Sequence, residues 1–148
     1  MSSQTILLPT ILLVLWSLIM LLWTVITRFP SIAKNIEKLR DFPVGGRGDL
    51  LDKALPPHVM WKAHNYDHLL QQPTLFYATV FVLVALEQGT GINTLLAWAY
   101  LASRIVHSLW QAMINIVMPV RVALFGISST ILIILAVRTG WVTWTMLL

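Results

Sequence analysis

The chain has no cysteine and six acidic residues, and only 11% of its 148 positions are charged. The missing thiols exclude a disulfide-stapled secreted fold and any cysteine-based zinc or iron–sulfur centre. The scarcity of charge excludes a disordered chain. It also excludes an ordinary soluble domain, which carries about 25% charged and about 45–50% apolar residues. Hydrophobic residues take that place, at 57% of the chain. A net charge of +4 suggests nucleic acid at first sight. The charges sit at the edges of long apolar runs, however, so no nucleic-acid partner is expected. The composition implies an all-α integral membrane protein forming one domain over residues 1–148.

A transmembrane helix needs about 20 mostly apolar residues, and four runs qualify, at about 5–27, 58–86, 92–117 and 119–144. The first has no basic start and no small-residue cleavage site, so it reads as a retained span rather than a signal peptide. Glu87-Gln88-Gly89-Thr90-Gly91 separates the second run from the third. Pro119 suits the first turn of the fourth, where its missing N–H would be unpaired anyway. Trp141 and Trp144 close that run as an interfacial aromatic pair.

Orientation follows from the basic residues. Arg28, Lys34, Lys38, Arg40, Arg47 and Lys53 lie in the loop at 28–57, and the second loop has none. The positive-inside rule makes the first loop cytoplasmic and puts both termini on the other side. Arg121 agrees with this. Arg138 near the far end does not, and is expected to snorkel. Ile32, Ile36 and Leu39 recur at helical spacing, so span one continues past the membrane or gives way to a short interfacial helix. The Phe42-to-Gly48 stretch reads as turn-rich loop.

Spans two and three carry the polar groups. Tyr100, Arg104, His107, Ser108, Gln111 and Asn115 fall at offsets 0, 4, 7, 8, 11 and 15, which is one helical face. On span two, His64, His68 and Gln71 form one stripe, Asn65 and Gln72 a second, with Lys62 and Asp67 near the same end. An arginine in hydrocarbon costs at least about 2.5–3.5 kcal/mol, so these faces must turn inward. Antiparallel packing sets Asn65 level with Asn115 or Gln111, and Gln72 level with His107 or Arg104. The sum is a basic cleft of Arg104, Arg121 and Lys62 that suits an anionic small molecule, since guanidinium forks hold carboxylates bidentately. The plainer alternative is a set of interhelical hydrogen bonds, each worth about 1 kcal/mol or less. His64 and His68 at i, i+4 also suggest metal ligands. Four histidines fall short of a membrane di-iron set, and no metal is expected.

The stretch His64-Asn-Tyr-Asp-His-Leu-Leu-Gln-Gln-Pro-Thr-Leu-Phe-Tyr77 resembles the second-helix signature of the MAPEG family, the membrane-associated proteins in eicosanoid and glutathione metabolism. It is most similar to a bacterial branch. The resemblance continues in Tyr100-Leu-Ala-Ser-Arg104-Ile-Val-His107-Ser-Leu-Trp-Gln and in Arg121. It implies a left-handed four-helix bundle assembled as a homotrimer in a bacterial inner membrane, with glutathione bound between subunits as co-substrate. A lipophilic small molecule would enter from membrane lipid. By that resemblance Arg121 is catalytic, stabilising the thiolate of a transferase or peroxidase. Lys62, Asn65, His68, Gln71, Tyr100, Arg104, His107 and Gln111 would line the glutathione-like anion site. This chain has His68 and Gln71 where the family has Glu, and Gln111 where many members have Tyr. Those exchanges favour the alternative, a non-catalytic lipid-binding scaffold or a subunit of a membrane complex.

Overall fold

The computed structural model describes residues 3–40, 42–43, 45 and 48–148. The expected loop residue Arg47 and the turn positions Val44 and Gly46 lie outside the described residues. Among the described residues there is no strand. A 3-10 turn at Ser3–Ile6 leads into α1, Leu7–Lys34, which is followed after Asn35 by the single turn α2, Ile36–Leu39. Span one therefore does continue, well past the expected Thr27. The basic loop then forms a 3-10 turn at Gly48–Leu50 and the short α3, Leu51–Ala54. Three long helices complete the chain: α4, Pro57–Ala85; α5, Ile92–Met113; and α6, Val122–Leu147.

The buried face of α1 shows why it packs closely. Thr10, Ser17, Thr24 and Ser31 are buried at every seventh position, alternating with Ile6, Leu13 and Met20. Small residues at that spacing let another helix approach. Thr10, Ser17 and Thr24 bond back to the carbonyls of Ile6, Leu13 and Met20, each at 2.9 Å, so these three hydroxyls are satisfied within the seam. Helix α1 runs along α4 and α5, while α6 runs along α5 and α4. Phe76, Val80, Leu83, Ala97, Tyr100 and Leu135 form the shared core.

Two helix ends depend on left-handed residues. Glu87 at φ 57° closes α4, and the Gln88 N–H reaches back to the Leu83 carbonyl at 2.8 Å. Asn115 at φ 54° closes α5, its N–H and that of Ile114 both reaching the Trp110 carbonyl at 2.8 and 2.9 Å. Helix α5 thus stops at Met113, short of the expected 117, because asparagine accepts the left-handed conformation that ends a helix. The fourth run starts at Pro119, as expected. Within Val117–Arg121 only Met118 is non-helical (φ −107°, ψ 138°), the extended conformation favoured before proline, and the helical residues from Pro119 run into α6 at Val122.

Among the described residues, three segments are long and apolar enough to cross a membrane: Gln4–Lys34, Pro57–Ala85 and Val117–Met146. Helix α5 has the length but lacks the hydropathy. Its buried face carries Arg104, His107, Ser108 and Gln111, all at 2% exposure or less. Its polar groups are turned into the protein, while Leu22, Ile26, Phe81, Ile133 and Val137 on the three apolar segments point outward. Outward apolar faces on this scale are expected where the solvent is hydrocarbon.

Candidate functional site

The polar faces of α4 and α5 meet, and the stripe of α4 that makes the contact is Asn65, His68 and Gln72, spaced i, i+3, i+7. Asn65 donates to the Ser108 hydroxyl at 2.6 Å. His68 Nδ1 meets Gln111 Oε1 at 3.2 Å. Gln72 Oε1 accepts from Arg104 Nη1 at 3.2 Å and from the Tyr100 hydroxyl at 3.4 Å. The Gln72 amide donates to the Ser129 hydroxyl on α6 at 2.7 Å. Gln72 therefore faces Arg104 as expected. Asn65 sits opposite Ser108, about one turn from the expected Gln111 and about two from the expected Asn115.

Arg104 is 2% exposed. Its second terminal nitrogen donates to the His68 backbone carbonyl at 3.0 Å, and its Nε has no partner. Removing a guanidinium from water costs several kcal/mol. Two hydrogen bonds from a charged donor, at about 1.5–3 kcal/mol each, offset much of that. Both terminal nitrogens are thus engaged with neutral groups of the protein itself. Tyr100 is fully buried, with its ring stacked on Phe76 at 4.6 Å.

Beside this network lies a cavity of about 320 Å³, lined by His68, His107, Val117, Arg121, Val122 and Phe125. The His68 ring stacks on Phe125 at 5.9 Å and meets the His107 ring edge-on at 5.6 Å. Arg121 donates from Nη1 to Asn115 Oδ1 at 3.0 Å. His107 is 1% exposed, and neither of its ring nitrogens has a partner. A buried polar atom left unbonded costs about 1–3 kcal/mol. Both nitrogens are enclosed by protein atoms rather than open to the cavity. No acidic side chain lines this cavity, and among the described residues neither Arg104 nor Arg121 has a carboxylate partner. The site is therefore a net cation with hydrogen-bonding imidazoles and an apolar wall.

The structure brings Asn65, His68, Tyr100, Arg104, His107 and Gln111 together and sets Arg121 at the cavity they border. Two expected members stand apart from this group. Lys62 lies on the α1 side of α4, donating to the His58 carbonyl at 2.6 Å and resting 5.5 Å over the Trp23 ring. Gln71 is exposed, with only its backbone carbonyl engaged, by Thr74 at 2.6 Å. The expected stripe of His64, His68 and Gln71 also divides. His64 turns to Asp52 of the loop at 2.8 Å, the only ion pair among the described residues. Asp67 and His64 line a different cavity of about 530 Å³ with Arg28, Asp49 and Asp52. Helix α4 turns about 100° per residue, so a stripe begun one residue later faces a different neighbour.

Sequence reasoning placed Gln72 on the polar face but left it out of the site, and it missed Ser129 and Phe125. Gln72 had a signal, because it shares the i, i+7 face with Asn65. Ser129 sits in a run of small hydroxyl residues with no periodic cue. At the other end of the molecule, Arg138 Nε donates to Asn93 Oδ1 at 3.1 Å. That bond satisfies the cation expected only to snorkel.

Helices long and apolar enough to cross a membrane, enclosing a buried polar network, define an integral membrane protein of the all-α class. The model of the MAPEG family matches residues 6–141, and the chain belongs to that family. No curated protein and no solved structure matches it.

Proposed function

We propose that the protein is a glutathione-dependent transferase or peroxidase acting on a lipophilic substrate. The observation that carries this is the Arg121 guanidinium. It lines a cavity with His68 and His107, and Asn115, its bonded partner, leaves its charge uncompensated. A thiol with a pKa near 8.5 is a poor nucleophile at neutral pH until a nearby cation favours its thiolate. Arg121 supplies that cation. The neighbouring imidazoles and amides suit the peptide groups of glutathione, and the apolar wall of Val117, Val122 and Phe125 suits a lipophilic partner. The fit is incomplete at one point: Asp67 faces the other cavity, so the glutathione ammonium finds no acid in this one.

The same proposal takes the chain as one domain in which all four long helices cross the membrane, α5 shielded by its neighbours. Three copies assemble, the first loop is cytoplasmic, and the membrane is a bacterial inner membrane. Titration of the purified protein with glutathione, followed by thiolate absorbance in the ultraviolet, tests the assignment. A saturable signal that Arg121→Ala abolishes along with turnover is expected. Undiminished signal and rate in that variant would remove Arg121 from the chemistry.

A second proposal is a non-catalytic member, a lipid-binding scaffold or a subunit of a membrane complex. It draws on Arg104, whose terminal nitrogens are both engaged by Gln72 and His68, and on the amide of Gln111 where many relatives present a hydroxyl. A scaffold gives no saturable thiolate signal.

A further inference from the structure

We propose that a phospholipid with a primary-amine head binds along the outer face formed by α1 and α4. This site stands apart from the Arg121 cavity and does not depend on glutathione.

One face of α4 runs from charged to apolar. Ala63, Asp67, Leu70, Thr74, Tyr77 and Phe81 follow at alternating steps of four and three, which keeps them on one side of a supercoiled helix. Ala63 and Asp67 line the cavity of about 530 Å³ at the first-loop end. Leu70, Thr74 and Tyr77 line a narrower one of about 140 Å³ against Val14 and Leu18 of α1. Tyr77 and Phe81 line a third, about 630 Å³, against Leu7, Ile11 and Val14. Val14 and Tyr77 border both apolar cavities, so the two form one groove. On α1, Arg28 lines the charged cavity and shares the heptad position of Leu7 and Val14.

The groove faces outward, since Leu18, Leu70 and Phe81 on its walls are about half exposed or more. From Asp67 to Tyr77 is ten residues, about 15 Å along the helix. That is half of a hydrocarbon core of about 30 Å, the depth of one leaflet's chains. A head held at the charged cavity therefore lays a chain in the groove as far as Tyr77.

The charged cavity selects the head. Among the described residues Arg28, Asp49 and Asp67 have no ion pair, while Asp52 is held by His64 at 2.8 Å. A phosphate takes the guanidinium, and an ammonium with three N–H donors takes the two free carboxylates. A quaternary ammonium has no N–H to donate and prefers an aromatic cage, and the described lining has no Phe, Tyr or Trp. An anionic head without an amine meets the aspartates instead. The groove alone accepts any chain, and the carboxylates alone any cation. Joined on one helix face they define an amphiphile with a zwitterionic, ethanolamine-like head.

The test places the full-length protein in bilayer discs of equal parts phosphatidylethanolamine, phosphatidylcholine and phosphatidylglycerol with identical chains. Native mass spectrometry then reads which lipid each protomer retains. Phosphatidylethanolamine should be retained about tenfold over either other lipid, the worth of one charged hydrogen bond. Asp49→Asn combined with Asp67→Asn should abolish the preference over phosphatidylcholine. Arg28→Gln should lower retention of both zwitterionic lipids, and Leu70→Trp, which fills the groove, should lower retention whatever the head. Asp49, Asp67 and Leu70 are exposed, and the wild-type preference decides even where a variant fails to fold. Equal retention of the three lipids by the wild type would overturn the proposal. A preference that survives the double aspartate change, or binding unchanged in Leu70→Trp, would overturn it too. So would the absence of retained lipid, and crosslinking between Leu70→Cys copies would then assign the face to a second copy of the chain.

Discussion

Arg104 on α5 and Gln72 on α4 are joined at 3.2 Å, guanidinium to amide carbonyl. The same oxygen also accepts from Tyr100, while the Gln72 nitrogen donates to Ser129 on α6. One amide side chain thus ties three helices together and places a buried cation without neutralising it. An acid at position 72 would have cancelled the charge; an amide orients the guanidinium and leaves the local balance positive. That choice leaves the neighbouring cavity in positively charged surroundings.

Gln72→Leu should therefore be among the most destabilising single changes in the chain. It removes the acceptor of a buried charged donor together with the α4–α6 bond. The expected loss is about 3 kcal/mol, measured by reversible denaturation in mixed micelles. A loss under about 0.5 kcal/mol would mean that water replaces the amide and that the network is wetter than its burial implies.

Arg104→Lys keeps the charge but not the fork. An ammonium can reach Gln72 or the His68 carbonyl but holds both less well, so the expected cost is about 1.5–3 kcal/mol, one charged hydrogen bond. Because Arg104 is turned toward the protein rather than the cavity, the affinity for glutathione should fall far less than in Arg121→Ala. Equal losses of affinity in the two variants would show that Arg104 reaches the ligand.

The Arg104 stripe also shows how far the sequence could be read. Six polar residues at helical spacing on one apolar run admit only an inward face, because hydrocarbon rejects an arginine, and α5 is buried as that argument requires. The partner face was harder. On α4, polar groups occupy 64, 65, 67, 68, 71 and 72, covering most of the circumference, so periodicity alone could not choose between the stripe of His64 and that of Asn65. The choice is made by α1. Its heptad of Thr10, Ser17, Thr24 and Ser31, itself visible in the sequence, claims one side of α4 and leaves Asn65, His68 and Gln72 for α5. Lys62 was misplaced for the same reason, since it belongs to the α1 side.

Asn65 and Ser108 supply a direct measure of what a neutral bond contributes in this seam. They meet at 2.6 Å with 2% exposure each. A double-mutant cycle with Asn65→Ala and Ser108→Ala should return a coupling of about 0.5–1.5 kcal/mol. Ser108→Ala alone should cost more than the coupling, since it strands a buried amide donor. A coupling near zero would place water between the two helices.

Asn115 separates backbone from electrostatics, and three substitutions distinguish them. Its φ of 54° ends α5, while its side-chain oxygen holds Arg121 at 3.0 Å. Asn115→Ala should cost about 1–2 kcal/mol, because alanine resists the left-handed region, and Asn115→Gly should avoid that cost. Both release Arg121, so thiolate formation should weaken in the two variants alike although only one loses stability. Asn115→Asp is the sharpest case. It leaves the helix end intact and turns the Arg121 contact into an ion pair, which cancels the charge that draws an anion into the cavity. Stability should hold or rise while glutathione affinity falls at least about tenfold, the equivalent of about 1.4 kcal/mol. Unchanged affinity in Asn115→Asp would mean that the free charge of Arg121 is not what recruits the ligand.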